Sequence, residues 1–187
     1  MEKTMILASK SPRRKEIMTE LGYTFEIAVS QKEEIFDQNL SLDEALKKVA
    51  KAKNEEIRRH YPDEIIVSAD TIVCFEDKIL GKPKDAEDAI RILSSLSGHT
   101  HQVKTGVCVS SSQKVETIVE TTDVLFRELS QEDILAYVNS GKCMDKAGAY
   151  GIQETDFVQE IKGSYSNVVG LPKEKVTELL HAVCETL

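Results

Sequence analysis

The sequence has no block of lysine and arginine: 24 basic residues are outnumbered by 32 acidic ones, for a formal net charge of -8. An acidic chain without a basic tract repels a DNA duplex or an anionic membrane, so neither a nucleic-acid polymer nor a membrane is expected as a partner. No apolar run approaches the roughly 20 residues of a membrane helix. Met5-Ile6-Leu7-Ala8 is too short for a signal-peptide core and follows acidic Glu2, so a cytoplasmic location is expected. Cys74, Cys108, Cys143 and Cys184 stand far apart with no C-x-x-C pair, which excludes a zinc ribbon or disulfide frame and reads as reduced thiols. His99 and His101 flank one threonine but have no partner cluster for a metal. Repeats, low-complexity tracts and linkers are absent as well, which excludes solenoids and beads on a string.

What remains is a globular chain. Hydrophobic residues make up 41% and charged ones 30%, enough for a core and a solvated surface. The 187 residues are expected to form one domain, 1–187, of two lobes without a linker. A chain of this length buries roughly 70% of its unfolded surface and needs no staple. Along it, Met5 to Ala8 reads as a buried strand, and Ser11-Pro12 opens a helix that Gly22 stops. Thr24 to Val29 reads as a strand. Ser41 caps a long helix with the stripe Leu42, Ala45, Leu46, Val49, Lys53 and Ile57, ended at Tyr61-Pro62. Ile65-Ile66-Val67 is a buried strand running into Ser68-Ala69-Asp70-Thr71, and Glu76-Asp77-Lys78 is a turn. Asp85 to Leu96 is a helix with Ala86, Ala89, Ile90 and Leu93 inward. Gln102–Val109 and Val115–Phe126 alternate as two strands, Ser130 caps a helix, Phe157–Ile161 is a short strand, and Pro172 starts a last helix. The intermixing predicts an α/β or α+β fold with a central mixed sheet flanked by helices.

Four stretches can carry chemistry. Ser9-Lys10-Ser11-Pro12-Arg13-Arg14 sits where a strand meets a helix N-terminus. Free N–H groups and the positive helix end favour an anion there, and two hydroxyls and two guanidiniums add directional donors for phosphate. The bland reading is a capped surface helix with ordinary arginines. Asp70-Thr71 follows a buried strand, where a carboxylate faces a crevice and can hold a divalent metal or orient a water; otherwise it is a loop cap. Glu33 and Glu34 are its natural partners for Mg²⁺. Lys53 interrupts an apolar stripe, either snorkelling to water or reaching a phosphate, and Lys82 is stiffened by Pro83. In Asp145 through Gln153, small residues let backbone approach a ligand closely, and the Gln153 amide suits a pyrimidine edge; the alternative is a tight strand-entry bend.

Together these stretches resemble the Maf family of nucleoside triphosphate pyrophosphatases, historically linked to septum formation. The resemblance is carried by Ser9 through Arg14, Ala69-Asp70-Thr71, Gly81-Lys82-Pro83, Leu96-Ser97-Gly98, Asp145 through Gln153, Gly163-Ser164-Tyr165 and Val169-Gly170-Leu171-Pro172, in the family's order over essentially the whole chain. It implies an ITPase-like α/β fold of two lobes with a cleft, and hydrolysis of dTTP and UTP to the monophosphate plus pyrophosphate. It also implies a divalent cation, Mg²⁺ or Mn²⁺, at Asp70 and Glu34, with Asp70 the proton acceptor. Ser9, Ser11, Arg14, Lys53 and Lys82 would bind the triphosphate, while Arg13, Thr71 and Gln153 would set substrate choice. A homodimer is suggested by the resemblance, although no coiled-coil seam or interface stripe is legible. Three departures stand out: Lys142-Cys143 where many members have Glu-Pro, Glu154 where Gly usually follows the glutamine, and Ser68 where a Gly is common. The rival readings are a hydrolase releasing orthophosphate from modified nucleotides, and a non-enzymatic nucleotide-binding regulator of cell division.

Overall fold

The computed structural model describes residues 4–184. Strand β1 (Met5–Leu7) leads into α1 (Pro12–Glu20), and β2 (Phe25–Ile27) precedes α2 (Leu42–His60). The middle of the chain holds β3 (Ile65–Phe75), β4 (Lys78–Leu80), α3 (Ala86–Leu96), β5 (Thr100–Ser110) and β6 (Val115–Phe126). The rest comprises α4 (Gln131–Asn139), a 3-10 turn (Ala147–Ala149), β7 (Val158–Lys162), α5 (Tyr165–Val169) and α6 (Lys173–Cys184). The strands pair in the order β2-β1-β3-β5-β6-β7, with β4 on β3. β1 runs parallel to β2 and to β3, whereas β3/β4 and β6/β7 are antiparallel. The sheet is therefore mixed, as the interleaved pattern predicts. No described helix is long and apolar enough to cross a membrane.

The chain divides into two compact units. Among the described residues the first comprises 4–70, 105–120 and 170–184; the second comprises Thr71–Lys104 and Thr121–Val169. In the first, Ile6, Ala8, Ile57 and Ile66 pack together. Helix α2 lies close against the start of the Thr105–Ser110 segment because Gly106 has no side chain: a Cβ there would stand 2.9 Å from the Leu46 carbonyl oxygen. Buried Asn54 then fastens the helix, its amide donating to the Ile66 and Cys108 carbonyls at 3.0 and 3.2 Å while its Oδ1 accepts from Ser110 Oγ at 2.6 Å. In the second unit the core gathers Leu93, Leu96, Val103, Phe126, Tyr137, Tyr150 and Phe157.

Helix starts follow their caps. Ser11, Ser41, Asp85 and Ser130 each accept a backbone N–H three residues on, and Ser130 forms a capping box with Asp133. Three expectations need correction. Asp70 does not end a strand but lies within β3, which is buried almost throughout. Its polar neighbour Ser68 stays inside because its hydroxyl donates to the Ala50 carbonyl at 2.7 Å. The turn at Glu76-Asp77 is a two-residue hairpin with φ of 49 and 60°, and the strand after it, β4, is absent from the sequence reading. On α3, Ala86 is exposed and Ile92 and Leu96 are buried, so the inward face is rotated from the expected one.

Candidate active site

The first unit brings Ser9, Arg14, Glu34, Lys53 and Asp70 into one network. Ser9 follows β1, and its hydroxyl accepts from the Ser11 N–H at 3.2 Å and from Arg14 Nη1 at 3.3 Å. Ser11 caps α1 by accepting the Arg14 N–H at 3.3 Å. Both predicted hydroxyls thus shape the helix entrance. The Arg14 guanidinium spans two further segments, donating from Nη1 to the Ala69 carbonyl at 3.1 Å and from Nε to the Gly170 carbonyl at 2.8 Å. Burial pulls its pKa down, opposed by the charges of Asp70 and Glu34, with Arg13 acting in the same direction as burial. A guanidinium remains charged regardless. Arg13 is half-buried one position earlier on α1.

Asp70 is 4% exposed. Its Oδ1 accepts from Lys53 Nζ at 2.9 Å, and the same ammonium donates to Glu34 Oε1 at 2.7 Å. Lys53 therefore does not simply snorkel; its side chain is 12% exposed and lies between two carboxylates. The loop carrying Glu34 is fastened to the same helix. Glu56, one turn beyond Lys53, accepts from Ser30 Oγ and from the N–H groups of Gln31 and Lys32 at 3.0 and 3.2 Å. The Ser30 bond, ahead of the backbone donors, holds the Glu56 pKa low. Helix α2 thus positions Lys53 directly and Glu34 through Glu56.

Burial raises the Asp70 pKa, and the Glu34 charge adds to the rise; Lys53 opposes it with its charge and hydrogen bond, and Arg14 with its charge. The second oxygen, Oδ2, is buried without a hydrogen-bond partner. An orphaned carboxylate oxygen in a cationic setting is poised to receive a proton or a metal. Among the described residues no group of three or more His, Cys, Asp and Glu gathers as metal ligands. A pair suffices for Mg²⁺, however, because that ion binds through one or two carboxylates and completes its shell with water and substrate phosphate. The unsatisfied Asp70 Oδ2, with Glu34 joined to the same lysine, fits that demand.

Thr71, Lys82 and Gln153 belong to the second unit. Thr71 is half-buried in β3, and Lys82 is exposed between β4 and α3. The Gly81 carbonyl just before it accepts the Gly148 N–H at 3.2 Å, joining two of the stretches singled out in the sequence. Gln153 is exposed in a turn after the 3-10 segment. His101 is 1% exposed among aromatic rings, 2.6 Å from Tyr150 Oη. Sequence reasoning missed Asn54, Glu56 and the Gly170 carbonyl. Asn54 left a signal, since two polar residues in succession, Lys53-Asn54, interrupt an apolar face. A carbonyl 156 positions from the arginine it meets leaves none.

Comparison with known proteins adds an independent line. The model of the family described as Maf-like protein matches residues 4–183. A dTTP/UTP pyrophosphatase from Bacillus pumilus is 46% identical over 178 residues, 94% of each chain. Another from Bacillus velezensis is 42% identical over 182 residues, 96% of each. Among solved structures, a nucleoside-triphosphatase / dITP/XTP pyrophosphatase from Mycobacterium abscessus aligns over 98% of both chains at 12% identity, with a TM-score of 0.46.

Proposed function

Because the chain belongs to the Maf-like family, we propose that it is a nucleoside triphosphate pyrophosphatase that cleaves dTTP and UTP to the monophosphate and pyrophosphate. The observation that carries the mechanism is the state of Asp70: one oxygen clamped by Lys53, the other buried and unpartnered. Asp70 Oδ2 takes the proton of the water that attacks the α-phosphorus. The new P–O bond forms as the bond to the bridging oxygen breaks, and the electron pair leaves with pyrophosphate. Burial makes the carboxylate more basic than usual, which suits that task. Lys53 keeps the carboxylate oriented through Oδ1 and lowers the repulsion between it and an incoming polyanion.

Ser9, Ser11, Arg13 and Arg14 bind the phosphates at the N-terminus of α1, where directional donors and the helix end act together. Lys82 is a further phosphate-binding position, and Thr71 and Gln153, with Arg13, discriminate the base. Glu34, with Asp70 beside it on the same lysine, would hold Mg²⁺ or Mn²⁺, which supplies charge neutralisation on the phosphate oxygens when bound; an Asp70 oxygen that holds the cation does not take the proton in the same step.

The test is a panel of nucleoside triphosphates with Mg²⁺ or Mn²⁺, assayed for pyrophosphate. Release from dTTP and UTP is expected; orthophosphate instead, or binding without turnover, overturns the reading. Asp70→Asn should keep nucleotide binding and lose turnover by roughly 10²–10⁴-fold. Near-normal turnover in that variant removes Asp70 from the role.

A further inference from the structure

The turn that carries Gln153 is held by side chains from outside it. Residues Gly151 to Glu154 close through the Glu154 N–H, which donates to the Gly151 carbonyl at 3.0 Å. Ile152 and Gln153 are its two central residues. Tyr137, on α4 and 8% exposed, meets both ends of the turn. Its Oη accepts the Gly151 N–H at 3.0 Å, and its hydroxyl donates to Glu154 Oε2 at 3.0 Å. The other oxygen of that carboxylate, Oε1, lies 3.1 Å from Lys146 Nζ. Lys146 is 7% exposed and is itself fixed, donating to the Lys142 carbonyl at 2.6 Å and to Asp145 Oδ1 at 3.0 Å. The packing is close: a Cβ at Gly151 would stand 2.8 Å from Lys146 Cε and 3.1 Å from Glu154 Oε2.

The hydrolytic step proposed above assigns no role to Tyr137, Lys146 or Glu154, yet the arrangement is more than a bend. One phenol oxygen accepts from the first residue of the turn and donates to the last, so its removal releases both ends together. A short surface turn without such ties opens locally at little cost. A side-chain amide that selects one base edge needs the opposite: discrimination depends on polar groups being held where the wrong base leaves them unpaired. The ties close on the turn whose central residues are Ile152 and Gln153.

We propose that Tyr137 and Glu154 are positioning residues for Gln153, clasping its turn and thereby setting which pyrimidine edge the enzyme accepts. The inference rests on the reading of Gln153 as a base-discriminating residue. It assigns Glu154 a task that glycine could not perform.

The test measures kcat and KM for dTTP, UTP and CTP in Gln153→Ala, Tyr137→Phe, Glu154→Gln and Glu154→Ala, and in the Gln153→Ala/Tyr137→Phe double variant, with Tm beside them. Tyr137→Phe should lower the dTTP-over-CTP ratio of kcat/KM by about tenfold, chiefly through the KM for dTTP, since small misplacements of a binding group carry effects of this size. Glu154→Ala should act in the same direction, and Glu154→Gln, which keeps an acceptor for Tyr137, should act less. In the Gln153→Ala background the tyrosine change should move the ratio no further. A lowered Tm with an unchanged ratio in Tyr137→Phe and Glu154→Ala, or an undiminished effect in the double variant, overturns the clasp. If Tyr137→Phe does not fold, the two Glu154 variants decide. An unchanged ratio in Gln153→Ala instead removes the base-reading role, and the inference with it.

Discussion

Lys53 is the residue that ties the first unit's two site carboxylates together. Its ammonium joins the carboxylates of Glu34 and Asp70, the latter deep in β3. A buried ion pair is dangerous to break because the remaining charge has no water to fall back on. Lys53→Met should therefore destabilise the protein by about 3–5 kcal/mol. The same change in an Asp70→Asn background should do much less, because the orphaned charge is gone. Urea unfolding of the two single variants and the double variant checks this; strictly additive losses would mean that the pair does not interact energetically. Arg14 is different in kind. Its bonds run to Ser9 Oγ and to the carbonyls of Ala69 and Gly170, so it fixes three pieces of backbone as well as presenting charge.

At the scale of elements, α2 is the organiser, and its placement depends on what lies opposite it. Gly106 allows the approach, Asn54 and Ser68 fasten it, and Lys53 and Glu56 project from it. Gly106→Ala puts a methyl group 2.9 Å from backbone and side-chain atoms of Leu46, so the helix must shift. A loss of about 1–3 kcal/mol is expected, measured as a lower urea midpoint, because overpacking forces displacement of neighbours. Elements of this length were legible in the sequence: Ser41 and Tyr61 bracket α2 as predicted, and Ser11-Pro12 opens α1. Others were hidden for physical reasons. β4 spans three residues behind a turn whose positive φ angles fall on Glu76 and Asp77 rather than on glycine. α5 spans five residues, too few to show a helical period. The stretch Ser68-Ala69-Asp70-Thr71 reads as a strand end because its polarity breaks the apolar run, yet the partners that keep it buried, Ala50 and Lys53, lie on another element. Of the candidate site, Ser9, Arg14, Glu34, Lys53 and Asp70, which the structure brings together, were legible as residue types, while the contacts of Glu56 and Tyr137 are ones that local pattern does not encode.

For the whole molecule, acid is the informative stress. His101 is buried beside Phe126 and Tyr150, and burial pulls its pKa down to about 4. Its Nδ1 has no hydrogen-bond partner, so the ring is best accommodated neutral. The unfolded chain takes up a proton near the ordinary histidine value of about 6.5, whereas the folded chain resists until about 4. The unfolded state thus binds more protons within that window, and stability falls as pH drops through it. Between pH 7 and 4.5 this residue should account for roughly 2–3 kcal/mol of lost stability. His101→Gln should flatten that part of the profile in urea midpoints taken across the range; parallel profiles for the two proteins would refute it. The net charge of -8 keeps the surface acidic, while the Arg14–Gly170 bond has a consequence for the order in which the molecule is made. The first unit takes its segments from both ends of the chain, and residues 71–104 and 121–169 emerge between them during synthesis. Arg14 leaves the ribosome long before Gly170, the carbonyl that receives its Nε. The N-terminal end of α1 therefore remains unfinished on a nascent chain and is completed only when translation has passed residue 170, so a polypeptide stalled earlier presents the arginine without the last of its carbonyl partners.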